Sequence, residues 1–362
     1  MSTILLLLDQ KENRRVLADW LTARHELVAD ESDSALHKPF DLCIVDGHAL
    51  DRLLPRLRAR KDAENLVFLP VLLVASRHGV GMAKRHLWES VDELIATPIE
   101  KAELQARVEI LLRARRLSSE NAVLLRQLEA ELKLAAHVQI DLLPSGLPSL
   151  PGFELAARSV PAREVGGDFY DWQQTAPDTF VLTVGDAMGR GMSAALLMAT
   201  VRAAVRTVAR LHPPAQALEL VRFGLEADLI RTMGFVTLFH AQLDVAARRL
   251  LFVDAGHAHL FIRHMDGSFE NLHPRGPALG IPARKPYEEG TFIFTPGDVL
   301  IIYTDGILDA EPNIMLDHAA LAKHLEGSAS AGEMVERLLS IATNKDTLPE
   351  DDITVVALCC LA

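Results

Sequence analysis

The strongest constraint on this chain is a long stretch without a helix breaker. From Arg113 to Leu143 there is no glycine or proline, and Leu, Ala, Glu, Gln and Arg dominate. Residues of this kind favour a continuous helix. It must stop after Leu143, because Pro144, Gly146, Pro148, Pro151 and Gly152 follow. Leu125, Leu128, Leu132, Ala135, Gln139 and Leu142 recur at three- and four-residue spacing and line one seam. Polar Asn121 and Gln139 on that seam weaken it. Two readings therefore stand: a coiled coil joining two copies into a homodimer, or a helix packed on its own domain. Either way, residues 113–145 read as a helical linker between a domain at 1–112 and another at 146–362.

The two flanks are patterned differently. Upstream, apolar runs at Ile4–Leu8, Leu42–Val45, Val71–Val74 and Ile95–Thr97 alternate with helical segments at Glu12–Leu21 and Lys101–Leu112. That alternation predicts a doubly wound α/β fold with a parallel sheet covered on both faces. Ligand sites in such folds lie at the carboxyl ends of the strands. Asp9 and Asp46 each follow a predicted strand, so they are expected to converge there. Downstream, strand-like runs such as Phe180–Val184, Val236–Leu243 and Val299–Tyr303 are separated by turn signals, including Pro296-Gly297-Asp298. Helical stretches at Ala194–Leu211 and Pro214–Arg231 interrupt them, which predicts an α+β sandwich.

Composition narrows the function classes. The net charge of −12 argues against duplex nucleic acid as the main partner, since phosphate binding needs clustered Lys and Arg. No apolar run approaches the ~18 residues needed to span a bilayer. The opening MSTILLLLDQKENRR lacks a signal peptide's long apolar region. Cys43, Cys359 and Cys360 are odd in number and sit in apolar runs, as expected in a reducing cytoplasm.

The downstream domain carries acidic residues in glycine-rich or strand-end positions: Asp168 in VGGDFYDW, Asp186 in VGDAMGRG, Asp305 in YTDGILDA, and Asp351 and Asp352 in PEDDITVV. Like charges gathered together raise one another's pKa unless a cation neutralises them. Hard divalent ions bind carboxylates, carbonyls and water. A pair of them lowers the pKa of water and aims it at phosphorus. A single Asp-Gly turn is more often a solvated hairpin end; the recurrence in one domain favours a metal centre. No His or Cys cluster has zinc spacing.

In order, VGGDFYDW, GDAMGRGMSAALLM, TLFHAQLD, DAGHAHL, PGDVLIIYTDGILDA and EDDITVVAL resemble the motifs of metal-dependent serine/threonine phosphatases of the type 2C superfamily. The likeness is to the bacterial branch, which includes the stage II sporulation protein E phosphatase and stress-response sigma-factor regulators. It covers nearly all of residues 145–362. The resemblance implies an α-β-β-α sandwich with two Mg²⁺ or Mn²⁺ ions at one end. Asp168 and Asp186 then bind one metal with the Ala187 carbonyl; Asp186 bridges to a second, completed by Asp305 and Asp351. Asp352 is the alternative to Asp351. Met188 stands where the eukaryotic branch has a His proposed as general acid. Arg163 is a candidate phosphate contact, against a solvated loop residue. His257 and His259 read as turn histidines, and Tyr170 and Trp172 as packing residues. The resemblance also implies a phosphorylated anti-sigma-factor antagonist as substrate.

With Asp9 ending its strand, the run FDLCIVD ending at Asp46 and the strand LPVLLVAS, residues 1–115 resemble the receiver domain of response regulators, which implies Asp46 as phosphoacceptor and Asp9 helping to bind Mg²⁺. Three positions depart from that pattern. Gln10 replaces an acid, Ala75 a hydroxyl and Thr97 a lysine, which implies a pseudo-receiver that answers an upstream regulator by partner binding or dimerisation. Two rivals to a regulated protein phosphatase remain: a catalytically weak binding module with a structural metal site, and a hydrolase of small phosphoesters.

Overall fold

The computed structural model describes residues 1–28, 33–76, 90–146, 148–283, 285–310, 324–343 and 349–361. It divides into two compact units, Met1–Ala130 and Glu131–Ala362, with the boundary inside one helix.

The first unit runs β1 (Thr3–Leu7), α1 (Lys11–Leu21), β2 (Glu26–Val28), a 3-10 turn, β3 (Leu42–Asp46), α2 (Gly47–Glu64), β4 (Val71–Ser76), β5 (Glu93–Thr97) and α3 (Lys101–Leu142). Its strands form a parallel sheet in the order β2-β1-β3-β4-β5. This is the flavodoxin-like doubly wound order, whose switch point lies between β1 and β3. Alternate side chains explain the unbroken apolar strands. Leu5, Leu7, Cys43, Val45 and Leu73 face Leu50, Leu53 and Leu57 of α2. Ile4, Leu6, Ile44 and Leu72 face Leu17 of α1 and Leu104, Val108 and Leu111 of α3.

The sequence pattern did not reveal α2, which carries Pro55 in its interior, where proline removes a backbone donor. It also cut α3 in two. Nothing interrupts the helix at residue 112, and it runs 42 residues without a break.

The second unit comprises β6 (Phe153–Val160), β7 (Phe169–Ala176), β8 (Thr179–Ala187), α4 (Met192–Val208), α5 (Pro214–Thr232), β9 (Val236–Asp244), β10 (Arg249–Ala255), β11 (Leu260–Arg263), β12 (Phe269–Glu270), β13 (Arg275–Gly276), β14 (Gly290–Ile293), β15 (Val299–Tyr303), α6 (Gly306–Ala310), α7 (Ala331–Ala342) and β16 (Ile353–Cys360). One sheet is ordered β13-β10-β9-β8-β7, with β14 also on β10; the other is ordered β12-β11-β15-β16-β6. Phe180, Leu182, Phe239 and Phe252 from the first meet Leu300, Ile302, Val356 and Leu358 from the second in a shared core. The outer face of the first sheet takes Met198, Val201 and Leu218 from α4 and α5. The outer face of the second takes Met334, Val335 and Leu338 from α7. Layering is therefore α-β-β-α. On β15, Ile301 and Tyr303 face α7 while Leu300 and Ile302 face the other sheet, so the whole strand is apolar.

Among the described residues, no helix is long and apolar enough to cross a membrane. Cys43, Cys359 and Cys360 are buried free thiols.

Candidate active site

One end of the sandwich gathers the acidic residues, but not in the way expected from the sequence. Asp168 and Asp352 precede their strands, β7 and β16, whereas Asp186 lies near the end of β8 and Asp305 follows β15. Antiparallel pairing brings strand starts and strand ends to the same edge. Phe169 pairs with Gly185, and the β15 register places Tyr303 opposite Val355.

The glycines make this convergence possible. A Cβ on Gly167 would lie 2.5 Å from the Ala187 carbonyl oxygen, and one on Gly185 would lie 2.6 Å from the Phe169 ring. A Cβ on Gly166 would lie 2.1 Å from Asp352 Oδ2. Only glycine allows such close approach. The Ala187 amide donates to the Gly167 carbonyl at 3.2 Å, stitching together the segments that carry Asp168 and Asp186.

Asp168 is buried, and its Oδ2 accepts from Thr304 Oγ1 at 2.6 Å; that hydroxyl in turn accepts from the Thr354 amide at 2.8 Å. Burial, and then the charge of Asp186, push the Asp168 carboxyl well above the usual range. Burial raises Asp186 to about 7, with repulsion from Asp305, Asp351 and Asp352 adding to it. Asp305 is raised by burial and then by Asp351. These carboxylates thus share one electrostatic site.

Asp351 and Asp352 have different surroundings. Asp352 is buried, and both its oxygens are engaged: Oδ1 accepts from the Ala162 amide at 2.8 Å and Oδ2 from the Gly167 amide at 2.7 Å. Asp351 is half-buried and pairs through Oδ2 with Arg190 Nη2 at 2.6 Å and Nε at 3.0 Å. Among the described residues, no three acidic, His or Cys side chains form a closed coordination set.

Sequence reasoning missed Arg190 and Thr304. The glycines on either side of Arg190 were a usable signal, because they free the loop to expose it. Thr304 gave none beyond its place beside Asp305. Arg163 is exposed on its loop. Tyr170 and Trp172 stack at 5.2 Å and pack against the sandwich core. His257 is buried in its turn, with its backbone amide donating to Asp254 Oδ1 at 2.8 Å. Burial lowers its ring to about 3, so it stays neutral.

Residues 176–361, just over half of the chain, match the family described as Stage II sporulation protein E (SpoIIE). The chain belongs to this family. It is similar to the phosphoserine phosphatase RsbU of Bacillus subtilis, 27% identical over 240 residues, covering 64% of this chain and 71% of RsbU. It is 30% identical over 209 residues to protein IcfG of Synechocystis, covering 50% of this chain but 33% of IcfG. The SiaA-PP2C domain of Pseudomonas aeruginosa shares the fold, with a TM-score of 0.56 and 22% identity over 66% of this chain and 99% of that one. The RsbU and RsbW domains of Rv1364c from Mycobacterium tuberculosis align with a TM-score of 0.51 and 26% identity, over 59% of this chain and 63% of that one. The chain thus spans under two thirds of the Rv1364c structure and a third of IcfG. As a SpoIIE-family member, the chain carries a protein phosphatase domain of the type 2C fold, a hydrolase.

In the first unit, Asp9 and Asp46 do meet at the β1/β3 switch point. Asp46 Oδ2 accepts from the Asp9 amide at 2.7 Å and the Gln10 amide at 3.3 Å. Its Oδ1 accepts from the Ala49 amide at 2.9 Å, capping α2. Arg52 Nη2 lies 2.9 Å from Asp9 Oδ1. Ala75 and Thr97 are half-buried at the same edge, on the neighbouring strands β4 and β5.

Proposed function

We propose that the chain is a metal-dependent phosphoserine/phosphothreonine protein phosphatase whose substrate is a phosphorylated anti-sigma-factor antagonist. The observation that carries this is the gathering of Asp168, Asp186 and Asp305 at one edge of the sandwich by antiparallel register, where burial and neighbouring carboxylates, Asp351 among them, drive their carboxyls upward. Such a group favours cations. Asp168, Asp186, the Ala187 carbonyl, Asp305 and Asp351 are the donors for two Mg²⁺ or Mn²⁺ ions, an all-oxygen set suited to hard cations. Bound there, the ions supply Lewis acidity to the phosphoryl group and acidify water.

The chain's own residues do the positioning. Thr304 orients Asp168, and Gly167 lets the Ala187 carbonyl face the site. Arg190, about half exposed beside Asp351, is placed to meet a phosphoryl oxygen. Water attacks phosphorus, the P–O bond to the serine breaks, and inorganic phosphate leaves without a covalent enzyme intermediate. Met188 offers no proton, so solvent protonates the departing alkoxide.

The test is manganese-dependent phosphate release from a phosphoserine protein and from p-nitrophenyl phosphate. Preference for the protein, lost in Asp305→Asn, is expected. Preference for the small ester would point to a phosphoesterase, and inactivity with both to a binding module.

The first unit regulates this activity as a pseudo-receiver. Asp46 already caps α2 and binds two amides, and Arg52 sits against Asp9 where a cation would go. Incubation with acetyl phosphate and Mg²⁺ is expected to leave the intact mass unchanged; stoichiometric phosphate on Asp46 would overturn this. Exposed Leu117, Leu124, Leu125 and Leu128 on α3 support a homodimer through that helix. Leu124→Asp with Leu128→Asp is expected to halve the mass in sedimentation equilibrium, and an unchanged mass counts against it.

A further inference from the structure

The loop that presents Asp168 is gripped from two sides. Asp352 holds it from the start of β16 through the amides of Ala162 and Gly167. The second grip comes from α3. Gln139 Nε2 donates to the Gly166 carbonyl at 2.6 Å, and the Gly166 amide donates to Gln139 Oε1 at 3.1 Å. A carboxamide carries a donor and an acceptor side by side, so it can satisfy both polar groups of one residue. Gln139 is half-buried near the carboxyl end of α3, and Leu143, one residue beyond the helix, packs among α4 and α5 residues.

These contacts form a short chain. Gly166 is two residues from Asp168, and Gly167 bonds to Ala187 through its carbonyl and to Asp352 through its amide. Rotating α3 by one residue turns the Gln139 side chain by ~100° and breaks both bonds. Gln139 was read from sequence only as a weak point in a coiled-coil seam; its polarity has a specific use within the second unit.

We propose that Gln139 is a positioning residue, which fixes through Gly166 the backbone that carries Asp168. This rests on the metal-dependent phosphatase reading and deepens it by naming a residue outside the acidic motifs that sets the loop of that centre.

The test uses the full chain as wild type, Gln139→Ala, Gln139→Glu and, as a control on the exposed surface of the same helix, His137→Ala. Glutamate keeps the size and one acceptor but removes the donor to Gly166. Hydrogen exchange, manganese binding by calorimetry and kinetics are read together. Both Gln139 variants are expected to exchange the amides of residues 166–168 about tenfold faster and to bind manganese about tenfold more weakly. Protection in β8 and β15, and KM for the phosphoprotein, should be unchanged, and His137→Ala should match wild type. If Gln139→Glu matches wild type in exchange and in manganese affinity, the side chain only fills space and the proposal is overturned. If no form releases phosphate, the phosphatase reading falls, while loop exchange still decides whether Gln139 holds Gly166.

Discussion

Asp186→Asn is expected to abolish manganese-dependent phosphate release, by about 10³-fold or more, and at the same time to stabilise the metal-free protein above pH 7. The first effect follows from the proposed metal centre, in which Asp186 would help to hold both cations, and Lewis-acid stabilisation is worth several kcal/mol of barrier at ~1.4 kcal/mol per tenfold. The second follows from linkage. The Asp186 carboxyl is raised from 3.8 to about 7 in the folded protein, by burial and by Asp305, Asp351 and Asp352. The folded chain therefore holds this proton more tightly than the unfolded chain does. Below pH 4 both forms are protonated and no penalty exists; the penalty grows as pH rises and is complete above 7. Asparagine carries no charge and removes it. The full shift corresponds to at most about 4 kcal/mol at ~1.4 kcal/mol per pH unit. Solvent screening at this half-buried site reduces that to roughly 1–2 kcal/mol.

Thermal unfolding in chelator checks this. Wild type and variant should coincide near pH 4 and diverge by pH 8, with the variant melting a few degrees higher. Manganese at a hundred times its Kd should then stabilise wild type by about 2.7 kcal/mol and leave the variant nearly unmoved. A variant that melts below wild type at pH 8 in chelator would falsify the account of a mutually repelling carboxylate cluster.

The second large effect separates two neighbouring aspartates. Asp352→Ala is expected to destabilise the protein by ~3–5 kcal/mol, since it strips a buried carboxylate from the amides of Ala162 and Gly167. Asp351→Ala removes a partly exposed pair with Arg190 and a local bond from the Asp352 amide, and should cost within about 1 kcal/mol. Activity should fall steeply in the Asp351 variant although it remains folded. Urea unfolding alongside phosphate release reads both. Should Asp352→Ala unfold like wild type, its carboxylate is not the anchor of the loop and the roles of the pair are exchanged.

The strands, helices and acidic motifs were largely legible from local pattern. β15 was visible as an apolar run, and α5 opens at the proline expected to begin it. Where reading failed, a non-local contact decided the outcome. Pro55 masked α2, which holds its place by packing Leu50, Leu53 and Leu57 on the sheet. Gln139 looked like a defect in a seam because its partner, Gly166, lies far along the chain. Arg190 carried no signal for its pairing with Asp351, which is farther still.

What the sequence determined by itself was the kind of chemistry and the kinds of layers. Helix-forming residues without breakers require α3, period and apolar run length require a parallel sheet and a sandwich, and carboxylates among glycines favour a cation site. Those properties reside in single residues and their near neighbours. The tertiary structure alone decided which carboxylates share a charge, which one anchors a loop, and which helix face reaches the centre. Antiparallel register carries Asp168, Asp186, Asp305 and Asp351 to one edge from opposite strand directions, and burial there raises pKa values that no isolated segment would shift. Asp351 and Asp352 are adjacent in the chain and nearly identical as letters; the fold turns one toward Arg190 and the other into the backbone of the loop beside Gly167.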